Sequence, residues 1–280
     1  ALIPSSLSFI AFLRWARSIR SEGRSAFDFR QPNIPMASSA FARSGVPFSP
    51  TSSEYFQKAM VAARPDLIVA VPGNTKVLEF FDGRKEPRVL ETNACETIAD
   101  IQATLRQLAA ATGAGDRAET IIRDMNSGLD SLQAAGATGA PVSTLMILGH
   151  TEGALEQIYA VGHPTYLDEL LTMVGGRNVI PPSAGRYPII SKESLLTMNP
   201  ELILERHLGG LALPEQKLAM IHLWKELPTL AAVRNGRVIV MDDDHMTING
   251  IDMVNTGRKL AAVIRLHSDT RASAPVPRWP

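Results

Sequence analysis

Two hundred and eighty residues, 45% of them hydrophobic and 20% charged, are enough to fill the cores of one large or two small globular domains and too apolar for a disordered chain. Twenty-eight Lys and Arg balance 28 Asp and Glu with no long run of one sign, which leaves no nucleic-acid footprint. The apolar stretches fall short of the roughly 20 residues that cross a bilayer, and one cysteine, Cys95, excludes an intramolecular disulfide framework and a cysteine-based zinc site.

In chain order, the opening ALIPSSLSFIAFLRWARSIR places its basic residues after its apolar run, the reverse of an export signal, and reads as mature chain. Short apolar runs then predict strands at 66–71 (DLIVAV) and 88–91 (RVLE). A T-x-x-D start predicts a helix over 97–111. The stretch 116–134 sets Ile121, Ile122, Met125, Leu129 and Leu132 on one face, which predicts a long helix ending near the midpoint in the small-residue loop AAGATGAPVS. Beyond it come a strand at 143–149, a helix with Pro in its first turn at 164–174, strands at 201–206 and 237–242, and a last helix over 251–266. Alternating strands and helices predict α/β layers with largely parallel strands.

An internal echo adds to this. YFQKAMVAARPDLIVA and SKESLLTMNPELILE each run from a helical stretch through Pro and an acid into a short apolar strand, half a chain apart. Two such units with a long helix between them predict two α/β lobes joined by that helix: 1–114, a linking helix at 115–136, and 137–280.

The sequence has no G-x-S-x-G elbow, phosphate-binding glycine loop, H-E-x-x-H or C-x-x-C. Its six histidines, His150, His163, His207, His222, His245 and His267, include no i, i+4 pair that would place two metal ligands on one helix face. The run Asp242 to His245 invites a metal reading, yet consecutive side chains diverge, and no metal site is assigned to it.

In α/β layers ligands gather beyond the carboxyl ends of strands. That rule nominates Gly73 and Asn74, Asn93, His150 and Thr151, Arg206 and His207, and Asp244 and His245. Arg186 and Tyr187, in the irregular stretch PPSAGRYPII, add a cation and an aromatic suited to an anionic or planar ligand. No nucleophile, base and orienting group stand together, so binding without chemistry is expected, with no catalytic residue and no cofactor. An α/β enzyme using His207 or His245 as base is the alternative from another class.

The stretch from Tyr159 to Glu205 resembles the second lobe of the periplasmic substrate-binding proteins of iron-complex and cobalamin ABC importers. The resemblance rests on Leu170, Leu171, Gly175, Gly176, Asn178 and Val179 in the L-L-x-x-x-G-G-x-N-V pattern, then on Ser191, Glu193, Leu195, Leu196 and Pro200. RPDLIVA, the run from Glu96 to Met125, LPTLAAVRNGRVIVMDDD and the closing helix extend it. PSSLSFIAFL is similar to the family's first loop and helix, while 17–46 match little.

The resemblance implies two α/β lobes on a single long helix with the ligand cleft between them, an extracytoplasmic location, a monomer, and delivery to ABC permease transmembrane subunits. It implies ligand contacts from Pro4, Ser5 and Ser6 and from the strand-end residues above. It also implies docking of Glu193 onto permease arginines, with Glu54 substituting where the pattern falls on Lys58. The ligand it implies is a ferric siderophore, then cobalamin or haem, with an oxyanion or a free zinc or manganese ion further off. Arg186, Tyr187 and Arg206 would suit an anionic iron complex.

Overall fold

The computed structural model describes residues 11–13, 61, 65–136, 139–206, 213–241 and 250–273. Its apolar runs become the strands of two sheets, one in each of two compact units. The first unit comprises Ala1–Ala94 with Arg106–Ala114, the second Cys95–Leu105 with Gly115–Pro280.

In the first unit, β2 (Leu67–Ala70) is buried at every position and pairs in parallel with β3 (Arg88–Glu91). The crossover between them carries helix α1 (Thr75–Phe81), the connection parallel neighbours require. Strand β1 (Ala11–Leu13) pairs antiparallel on the other side of β2, giving the order β1-β2-β3. PSSLSFIAFL is similar to the family's first loop and helix; where it is described, at Ala11–Leu13, it is instead a strand whose backbone groups are paired with β2. Arg84 packs its guanidinium 4.6 Å from the Phe80 ring at the end of α1.

The second unit holds a six-stranded sheet in the order β7-β5-β4-β8-β9, with β6 also on β4. Strands β4 (Val142–Gly149), β8 (Leu202–Arg206), β9 (Val238–Met241) and β6 (Gly176–Asn178) run parallel. Strand β5 (Ile158–Ala160) runs antiparallel to both β4 and β7 (Ile189–Ile190). The largely parallel sheet expected from the sequence therefore gains an antiparallel flank, because the 150–157 connection is a hairpin too short for a crossover.

Both faces of this sheet are covered, so its strands read as continuous apolar runs rather than alternating ones. Met146, Leu202 and Leu204 face one core, shared with Met125, Leu129 and Leu132 of helix α3 (Gly115–Ala134). Leu170 and Leu171 of helix α4 (Tyr166–Met173) and Leu260 and Ile264 of helix α8 (Met253–Ser273) complete it. Leu145, Ile147 and Ile203 point to the opposite core with Ile180, Leu195, Trp224 and Leu230, the period-two alternation of a strand. Helices α5 (Lys192–Met198), α6 (Pro214–Leu223) and α7 (Ala231–Arg234) lie on the chain between β7 and β9. Helix α2 (Ile98–Thr112) contributes Ile98 and Ile101 to the first core.

Two local devices fix the segment from 161 to 168. Thr165 caps α4, accepting from the Asp168 amide at 3.3 Å while donating to the Gly162 carbonyl at 3.0 Å. The buried Asp168 carboxylate accepts from Asn178 at 3.1 Å and lies 2.7 Å from His163 Nδ1, and Asn178 also donates to the Val161 carbonyl. A buried carboxylate needs such partners, so this network ties the start of α4 to β6.

Candidate functional site

In the first unit the strand-end residues come together. The register pairs Ala70 with Glu91, so the chain leaves β2 and β3 at the same edge of the sheet. Gly73 takes a positive φ of 90°, a turn that suits glycine, and Asn74 donates to the Val71 carbonyl at 2.8 Å as α1 begins. Beside it, Thr92 donates from its amide to the Ala70 carbonyl at 2.9 Å and from its hydroxyl to the Asn93 carbonyl at 3.1 Å. Gly73, Asn74 and Asn93 thus share one rim.

In the second unit the nominated residues fall into two sets. His150, Thr151 and Arg206 stand at the carboxyl ends of β4 and β8. Arg186 and Tyr187 lie beside the chain that follows β5, where Gly162 donates its amide to the Arg186 carbonyl at 2.6 Å and Val161 to Met146. Met146 is three residues short of the end of β4, about 10 Å along the strand. Pro4, Ser5, Ser6, Glu54, His207, Asp244 and His245 lie outside the described residues.

The first set contains a buried polar relay. His150 Nε2 is 2.7 Å from Glu205 Oε1, and Glu205 Oε2 accepts the Trp224 indole N–H at 2.6 Å. Glu205 is 1% exposed and Trp224 fully buried. The other imidazole nitrogen, Nδ1, lies 2.7 Å from the Thr151 carbonyl. The bond to Glu205 raises the His150 pKa above its ordinary value, and burial opposes it less strongly. A raised histidine pKa contributes stability that is complete below the ordinary value of about 6.5 and is lost as pH rises through the raised one. Urea unfolding should therefore show the wild type exceeding His150→Asn by most on the acid side, the gap narrowing towards alkaline pH. A gap independent of pH would show that His150 does not titrate against Glu205.

The second set is held by backbone on both sides. His163 donates its amide to the Gly185 carbonyl and Ala160 to that of Pro188, and Arg186 Nε reaches the Pro164 carbonyl at 3.3 Å. A methyl group on Gly162 would run into the Gly185 carbonyl oxygen, so glycine is what lets the two segments touch. Tyr187 donates its hydroxyl to Glu96 at 2.8 Å. Burial, then that bond and the carboxylate's charge, push its phenol well above the ordinary value.

Glu193 is exposed in the first turn of α5, where Ser191 caps the helix by accepting from the Ser194 amide at 3.2 Å. Hydrogen bonds from the Ser191 hydroxyl and from its own amide hold the Glu193 carboxyl below the usual carboxylate range, so it carries full charge at neutral pH.

Sequence reasoning missed Glu96, Glu205 and Trp224 as partners. Glu205 did carry a signal: an acid within ELILER, a strand too apolar to leave a carboxylate unpaired. Glu96 carried none, lying 91 residues from Tyr187. Among the described residues no cluster of His, Cys, Asp and Glu could hold a bare metal ion, and no helix is long and apolar enough to cross a membrane.

A family described as periplasmic binding protein matches residues 58–245. A vitamin B12-binding protein of Vibrio parahaemolyticus is 26% identical over 187 residues, 66% of this chain and 63% of that protein, so the chain spans under two thirds of that relative. Among solved structures, a possible iron-binding (periplasmic solute-binding) protein of Staphylococcus epidermidis superposes with a TM-score of 0.63 at 18% identity, covering 74% of this chain and 79% of that one. A periplasmic haem-binding protein of Pseudomonas aeruginosa gives 0.60 at 23%, covering 74% and 75%. The likeness is of fold: two α/β lobes.

Proposed function

Because this chain belongs to the periplasmic binding protein family, whose members are substrate-binding receptors and not enzymes, we propose that it captures a metal complex outside the cytoplasm and delivers it to the permease of an ABC importer. The observation that carries this is the family match across 58–245, which takes in the whole of the second sheet and strands β2 and β3 of the first. A ferric siderophore or a corrinoid is the cargo that fits best: Arg186 and Tyr187 supply a cation and an aromatic face, and vitamin B12-binding proteins are among the relatives at 22–26% identity. The enzyme alternative has no support in a receptor family.

Calorimetric titration with a ferric siderophore panel, cyanocobalamin, haemin, molybdate and zinc is expected to give one saturable site for a metal complex. Zinc alone binding at one ion per chain, or silence across the panel, would overturn the reading. Calorimetry is preferred to fluorescence because Trp224, the tryptophan among the described residues, is buried against Glu205.

Glu193 is the docking contact of the second lobe in this reading, a charged carboxylate on an exposed helix start. In vesicles carrying the cognate permease, Glu193→Arg should reduce ligand uptake at least about tenfold by placing like charge against the permease arginines. Ligand affinity in solution should not change. Undiminished uptake would remove Glu193 from the interface.

A further inference from the structure

Glu96 occupies a position fixed from several directions. Its carbonyl accepts the Tyr166 amide at 2.6 Å, immediately before a helix start where Thr97 and Asp100 cap each other, each amide to the other's side chain, at 3.1 Å. The Ile98 amide donates to Glu169 at 2.8 Å, tying the start of α2 to α4. The backbone on either side of Tyr187 is equally constrained, by the bonds to Gly162 and Ala160. The 2.8 Å bond between the Tyr187 hydroxyl and Glu96 therefore joins two side chains whose backbones are each held by further hydrogen bonds.

The chemistry of that bond limits what Tyr187 can do. A tyrosine binds a ferric ion as phenolate, after losing its proton. Here the proton is committed to a carboxylate, and a phenolate in its place would face a second negative charge at hydrogen-bond distance. The residue keeps 39% of its surface exposed, so it remains available for contact while its hydroxyl proton stays with the carboxylate.

We propose that Glu96 is a specificity-determining residue that keeps Tyr187 from becoming a metal ligand, so that this site takes complexes whose metal is already fully coordinated, a hexadentate ferric chelate or a corrinoid with both axial positions filled, ahead of haem with an open axial position. This rests on the receptor reading above. Glu96 acts through Tyr187 and is a positioning residue.

The test compares wild type, Glu96→Gln and Tyr187→Phe. In the ligand-free proteins, the ultraviolet tyrosinate band assigned by Tyr187→Phe should appear at lower pH in Glu96→Gln than in wild type. With haemin, the wild-type complex should lack the tyrosinate-to-iron charge-transfer band, and Glu96→Gln should gain it. The preference for cyanocobalamin over haemin should fall by about tenfold or more in Glu96→Gln, measured as the ratio of the two Kd values. A charge-transfer band in wild type that Tyr187→Phe removes would overturn the proposal, as would a tyrosinate titration indifferent to Glu96. Failure of all three proteins to bind any metal complex would sink the receptor reading and the ligand preference with it. The ligand-free titration would still decide whether Glu96 controls the phenol.

Discussion

Glu205→Ala is expected to lower the unfolding free energy by about 2–5 kcal/mol, from buried donors left unpaired at about 1–3 kcal/mol and from the cavity the side chain leaves. The carboxylate is 1% exposed and serves two donors at once, the His150 imidazole at 2.7 Å and the Trp224 indole at 2.6 Å. Alanine leaves both without an acceptor in a place that excludes water, and adds a cavity between β8 and the 3-10 turn at Trp224–Glu226. Glu205→Gln retains an acceptor for Trp224 and should cost less than half as much. Urea unfolding followed by circular dichroism checks both. Equal losses for the two variants would mean that cavity and volume, not the relay, set the cost.

Gly162→Ala should have the second large effect, destabilising by about 1–3 kcal/mol as overpacking usually does and weakening ligand binding more than that figure alone would suggest. The methyl group meets backbone, the Gly185 carbonyl oxygen and 3.2 Å away that of Arg186, so no side-chain rotation can relieve it. The segment carrying Arg186 and Tyr187 must move, and with it the hydroxyl bond to Glu96. Calorimetric titration beside Gly153→Ala, an exposed hairpin glycine of positive φ with open space around it, separates local strain from displacement of the site. Gly162→Ala binding as tightly as Gly153→Ala would show that the 181–188 segment does not contribute to ligand capture.

What could be read from the sequence follows from how local each cause is. Strands β4 and β8 announce themselves as apolar runs because both of their faces are buried, and α3 through an apolar stripe of Ile122, Met125, Leu129 and Leu132. Strands β5 and β7, three and two residues long, were not legible, since pairing across the sheet rather than any local preference makes them extended. Helix α6 was missed because it has no buried face: Leu218 is 57% exposed. Arg186 and Tyr187 were singled out by residue type and family pattern. Their partners Glu96, Pro164 and Gly162 are known only once the chain is folded, as is the relay through Glu205.

Cys95 bears on how this protein can be turned into an instrument. Its thiol donates to the Thr104 hydroxyl at 3.2 Å, and burial pushes its pKa up, so little thiolate is present at neutral pH. The native thiol therefore reacts with maleimide dyes more slowly than an exposed cysteine would. A cysteine introduced at exposed Glu152, on the hairpin beside His150, would take up the fluorophore ahead of it, giving a reagentless optical sensor under brief labelling.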